Sequence, residues 1–146
     1  MELGLFKHQQ IIYMETLNHN AKIAILRTLQ EIMEADGIIH ENEVEYMGKA
    51  IQSFDLDESC KADVEKLDLP HAIEEIKALD YDQKMMVAQM MGKMVIIDKD
   101  INYNEVIIYN DICHQCNIED EFKVEDYPEY SLSGPFINPE DILEMI

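Results

Sequence analysis

The chain repeats itself once, and no other feature of the sequence limits its fold so strongly. Asp36 falls on Asp98 at an offset of 62 residues, and the same offset pairs Lys22 with Lys84, Ile39 with Ile101, Asn42-Glu43-Val44 with Asn104-Glu105-Val106, and Lys61 with Lys123. The apolar positions agree too: Ile25, Leu26, Leu29, Ile32 and Met33 fall on Val87, Ala88, Met91, Met94 and Val95. This i, i+1, i+4, i+7, i+8 spacing lines one face of an α-helix. Past the turn, Val44, Met47, Ile51 and Phe54 fall on Val106, Tyr109, Cys113 and Cys116, again at helical spacing. Each copy reads as helix, tight acidic turn, helix.

The periodicity predicts helices at 20–35 and 41–54 in the first copy and 82–97 and 103–116 in the second. Two more, at 58–67 and 70–79, bridge the copies, with Pro70 suited to a first helical position. A further helix at 5–16 leads in. Sustained period-two alternation is missing, so the expected class is all-α, with about seven to eight helices. The repeat units span about 18–61 and 80–123 within a domain of 1–125. Residues 126–138, DYPEYSLSGPFIN, read as a linker. Asn138-Pro139 then starts a short last helix with Ile142, Leu143 and Ile146, too short to hold itself in water. With Phe136 and Ile137 it is expected to dock on its own domain or on a second chain.

A length of 146 residues with 47% hydrophobic content is enough for one well-buried core. A net charge of −20, from 11 basic and 31 acidic residues, repels nucleic-acid phosphates and anionic lipid heads. Nucleic acid is therefore not an expected partner; cations and basic protein surfaces are. The N-terminus turns polar too soon for a secretory signal, and the longest apolar runs fall far below the roughly 20 residues of a membrane helix. A cytoplasmic protein is expected.

The repeated turn is Ala35-Asp36-Gly37-Ile38-Ile39-His40-Glu41-Asn42-Glu43 in the first copy and Ile97-Asp98-Lys99-Asp100-Ile101-Asn102-Tyr103-Asn104-Glu105 in the second. Such a turn between apolar helices, present twice, resembles the TerB-like family of tellurite-resistance B proteins and their relatives, over roughly residues 18–123. The resemblance implies an all-α fold of about seven helices, no known enzymatic activity, a link to bacterial stress and tellurite responses, and proposed metal binding at acidic positions. The second copy departs from the pattern, with Lys99 where Gly37 stands.

Asp36-Gly37 and Glu43 also fit the back half of a calcium-binding EF-hand loop. Its first position would then be Ile32, an apolar residue of the buried stripe, so the loop lacks an oxygen ligand where calcium most needs one. The first turn reads chiefly as a cap: Glu43 sits three residues after His40, placed to reach back to its amide, and Asp36 and Asp98 carry negative charge near helix N-termini. Asn102 and Glu105 are expected to form the better capping box. The second turn is the richer candidate for a cation. Asp98, Asp100, Asn102, Asn104 and Glu105 offer oxygens in quick succession, suited to a weak, partly hydrated calcium or magnesium site; Asp36 and Glu43 are the weaker set. No cofactor is required by any motif.

Cys113-His114-Gln115-Cys116 looks like a redox or zinc motif, but both cysteines fall on apolar partners in the first copy, and Cys60 falls on Phe122. All three are expected in the core. Five of the ten methionines lie in 85–94, and Met85 and Met90 flank the buried stripe, where they would be exposed. The preferred functional reading, drawn from the resemblance, is a non-catalytic interaction module of bacterial stress physiology. A metal-sensing protein is the runner-up. An enzyme is third, and its sign would be a cleft holding acidic groups with perturbed pKa values.

Overall fold

A computed structural model describes residues 16–134. They form six α-helices: α1 (His19–Met33), α2 (Glu41–Ser53), α3 (Cys60–Lys66), α4 (Leu69–Lys77), α5 (Tyr81–Ile96) and α6 (Tyr103–Gln115), followed by a 3-10 turn at Val124–Asp126. All six start and stop within two residues of the predicted bounds. The helices expected at 5–16 and after Asn138, and the tail residues Phe136, Ile137, Ile142, Leu143 and Ile146, lie outside the described residues. No described helix is long and apolar enough to cross a membrane.

Local chemistry sets the helix starts. The Asn18 side chain accepts from the Ala21 amide at 2.8 Å to open α1, and Asp68 accepts from His71 at 2.9 Å to open α4, with Pro70 in the first turn. At α5 the capping is reciprocal: Asp80 accepts from the Gln83 amide at 2.8 Å, while the Gln83 side chain accepts from the Asp80 amide at 3.2 Å.

Helix α1 is the hub. It packs against every other described helix, and Ala24, Ile25, Leu26, Leu29 and Ile32 are wholly buried. Around it gather Tyr46, Ile51 and Phe54 of the α2 segment, Ile73 and Ile76 of α4, and Met86, Met91 and Met94 of α5. The Tyr46 hydroxyl crosses between the copies and donates to the Met90 carbonyl at 3.2 Å. Met90 is itself buried, which corrects its expected exposure: the core closes over both sides of α5, so its apolar stripe is wider than the repeat alone implied. Met85 is half-buried. Cys60, Cys113 and Cys116 are buried free thiols, and burial pushes Cys113 up to about 12 and Cys116 to about 11.

The repeat is written in the backbone as well. Gly37 and Lys99 both take left-handed φ, at 78° and 60°, and so do Asp55 and Asn117, at 58° and 59°. The last two close α2 and α6 in the same way. Leu56 N–H donates to the Ile51 carbonyl at 3.1 Å and Ile118 N–H to the Cys113 carbonyl at 2.8 Å, the long bond of a Schellman cap. Lys99 therefore keeps the turn that Gly37 makes, at the steric cost a Cβ brings to the left-handed region.

The all-α expectation needs one correction. Asp100–Asn102 (β1) and Ser131–Ser133 (β2) form a two-stranded parallel sheet, with Ile101 opposite Leu132. Three-residue strands are too short to show a period in the sequence, and the partner lies 31 residues away. The Asp100 carboxylate secures the pairing: its two oxygens accept from the Ser131 and Ser133 hydroxyls, each at 2.6 Å. Part of the expected linker is thus ordered against the second turn.

Candidate metal centre

The two acidic turns meet. Each delivers a carboxylate from the turn itself (Asp36, Asp98) and one from the third residue of the following helix (Glu43 of α2, Glu105 of α6). Glu43 and Glu105 are 1% and 3% exposed, which is rare for glutamate and demands a compensating partner.

His40, the residue before α2, stands between the two turns. Its Nε2 lies 3.6 Å from Asp36 Oδ2 and its Nδ1 lies 3.9 Å from Asp98 Oδ2. Its backbone amide donates to Glu43 Oε1 at 3.0 Å, the return bond expected of a capping box. One donor atom each from His40, Glu43 and Asp98 lie within 4.8 Å of one another, so these three can hold a metal ion. The rest of the first turn is braced by Asp36 Oδ1, which accepts from the Ile38 amide at 2.9 Å.

The second copy does not repeat the glutamate cap, which corrects the expectation for Glu105. Asn102 does cap α6, its side-chain oxygen accepting from the Asn104 amide at 2.8 Å. Its Nδ2 donates to Ser133 Oγ at 3.2 Å, and its backbone belongs to β1. With Asn102 held in the sheet, Glu105 turns to Glu43 instead.

The two glutamates then set each other's protonation. Burial is the main cause that pushes Glu43 up to about 7, and Asp98 adds to it; the His40 amide and imidazole work the other way. Burial again comes first for Glu105, pushed up to about 9, followed by the charges of Glu43 and Asp36. With one proton between them, Glu105 donates to Glu43. As two ionised carboxylates neither can donate, and Glu43 Oε2 and Glu105 Oε1 have no hydrogen-bond partner. A proton or a cation removes that conflict.

Of the residues expected from sequence, Asp36, Glu43, Asp98 and Glu105 are brought into one neighbourhood drawn from both turns. Asp100 and Asn102 are instead engaged by the serines of β2, and Asn104 offers its amide to Asn102. In the sequence His40 reads only as a cap position. Its signal lies in the offset: it is the counterpart of Asn102, a polar residue between two acidic ones in both copies. Hollows of about 540 Å³ (around His19, Asp63 and His71) and 370 Å³ (around Tyr109, Phe122 and Tyr127) lie elsewhere on the surface and do not include the acid pair.

No protein-family model, no curated protein and no solved structure matches this chain.

Proposed function

We propose that the chain is a non-catalytic interaction module built around one divalent-cation centre, of the TerB-like kind that its repeated turn resembles. The observation that carries this reading is the pair of buried carboxylates Glu43 and Glu105, each with an oxygen that has no partner when both are ionised, beside His40 and Asp98. Desolvated carboxylates are costly unless protonated or paired with a cation, and a cation answers both at once. The net charge of −20 favours a basic protein surface as partner, in a bacterial stress setting of the tellurite-resistance type.

A sensing role is the second reading, and one observation favours it. The candidate ligands come from both copies, so an ion would tie the start of α2 to the turn before α6. Ion binding would then bias the packing of the two helix pairs, which is the differential contact a switch needs.

The test is titration of divalent ions into the metal-free full chain at about 0.15 M salt, where surface charge is screened over about 8 Å. Saturable binding of one ion per chain, lost in Glu43→Gln/Glu105→Gln, is expected. Diffuse, unsaturated shifts over all acidic faces, unchanged in the double variant, would overturn the reading.

A further inference from the structure

We propose that the centre selects a first-row divalent ion that accepts imidazole, Zn²⁺ or Co²⁺ in type, over calcium and magnesium, with His40 as the selecting ligand and Asp36 as the residue that orients it. The inference rests on the cation-centre reading and adds the class of ion.

The geometry of the imidazole carries it. Nδ1 faces Asp98 at 3.9 Å, on the side of the candidate ligands, while Nε2 faces Asp36 at 3.6 Å. A histidine that binds metal through one nitrogen commonly presents the other to a carboxylate, which fixes its tautomer and raises its basicity. Asp36 is well placed to be that carboxylate. Its side chain is 9% exposed, and its other oxygen is held by the Ile38 amide. The arrangement is carboxylate, histidine, ion.

The donor set points the same way. One nitrogen and two carboxylate oxygens lie within 4.8 Å of each other. First-row ions hold such donors at about 2.0–2.2 Å, roughly 3.3–3.6 Å from one another around a tetrahedral ion, so the three groups draw together on binding and it is the nitrogen donor, not the spacing, that favours them. Calcium instead wants about six to eight oxygens at about 2.3–2.6 Å. The oxygens that would build that shell are spent elsewhere: both Asp100 oxygens accept from serines, and Asn102 caps α6 and bonds Ser133. Glu43 Oε2, on a side chain 1% exposed, is a buried acceptor beside this set that has no partner once both carboxyl groups are ionised. The asymmetry of the repeat gives the reason for a single ion. His40 stands between the carboxylates of both turns, whereas its counterpart Asn102 is held by the sheet.

The experiment uses the full chain, stripped with a chelator, in wild type, His40→Asn and Asp36→Asn. Asn is chosen at 40 because it caps α6 at the equivalent position, so the helix start is preserved. Co²⁺, Zn²⁺, Ca²⁺ and Mg²⁺ are titrated separately at physiological salt, with Co²⁺ visible absorption and the imidazole nitrogen shifts of His40 under Zn²⁺ as local readouts. Thermal melts confirm that each variant is folded. The proposal expects Co²⁺ and Zn²⁺ to bind at least about tenfold more tightly than Ca²⁺, with the Zn²⁺ shift on Nδ1. His40→Asn should abolish the Co²⁺ band and the preference while leaving any weak Ca²⁺ binding in place; Asp36→Asn should weaken Co²⁺ on the order of tenfold. Calcium or magnesium binding as tightly as Co²⁺, or a Co²⁺ spectrum unchanged in His40→Asn, would overturn the selectivity and leave the centre standing. Failure of all four ions to saturate the wild type would overturn the centre and the selectivity together.

Discussion

Glu43 and Glu105 hold the same place in the two copies of the repeat, the third residue of α2 and of α6, and in the interior their carboxyl groups face each other. One of them caps its helix and the other does not. The difference traces to the small sheet: β1 draws Asn102 away, so Glu105 is left with its symmetry mate as partner.

The acid pair makes metal-free stability fall as pH rises. Both carboxyl groups are raised above their ordinary value of 4.5, so the folded chain holds protons that the unfolded chain has released. Their contribution is fully present below about pH 4.5 and is lost as pH rises through the folded values, about 7 and about 9. The melting temperature of the chelator-treated protein should therefore drop by several degrees between pH 5 and pH 9, read by circular dichroism. A flat or rising profile over that window would contradict the burial of the pair.

Glu105→Gln should flatten that profile. The amide keeps the shape of a protonated carboxyl and always offers an N–H to Glu43, so no second buried charge forms at high pH. Metal-free stability at pH 9 should rise by about 1–2 kcal/mol, with little change at pH 5. Chemical denaturation at the two pH values measures both numbers.

Lys99 is the strained member of the two equivalent turn positions. Its φ of 60° is where a Cβ crowds the backbone, and Gly37 occupies the same conformation without one. Lys99→Gly should stabilise the fold by about 0.5–1 kcal/mol, and Gly37→Ala should destabilise it by about 1–2 kcal/mol. Denaturant midpoints of the two variants should move in opposite directions.

The three thiols should be silent in the native state. Cys113 and Cys116 are wholly buried with thiols pushed up to about 12 and about 11, which leaves almost no thiolate at pH 8. Cys60 is raised for the same reason, burial, with Asp57 and Asp63 adding to it. Labelling by a thiol reagent should begin only once denaturant is present; a rapid native-state phase of even one thiol would contradict this packing.

Asp100 should prove structural, whatever the ion. Both of its oxygens are taken by Ser131 and Ser133, so Asp100→Ala should release β2 without weakening ion binding at His40, Glu43 and Asp98. Hydrogen exchange should show faster amide exchange at 131–133 while Co²⁺ still binds saturably, since neither Asp100 oxygen is among the three candidate ligands. Loss of Co²⁺ binding in this variant would place Asp100 among the ligands.

The repeat, the helices and the core were legible in the sequence because they rest on local rules. A 3.6-residue apolar period, a capping residue and a turn residue act within a few positions, and the offset of 62 made each copy a check on the other. The acidic character of both turns was equally plain. What the linear order could not supply was which acids share a site. Read along the chain, Asp98, Asp100, Asn102, Asn104 and Glu105 look like one oxygen shell; folded, Asp100 and Asn102 turn to a strand near residue 132, while Asp98 and Glu105 meet residues of the other turn. Spacing determines the face of a helix on which a side chain lies, and packing the two copies around α1 determines which face it meets. That step brings His40, Glu43 and Asp98 together, and it depends on long-range burial that no short stretch of sequence encodes.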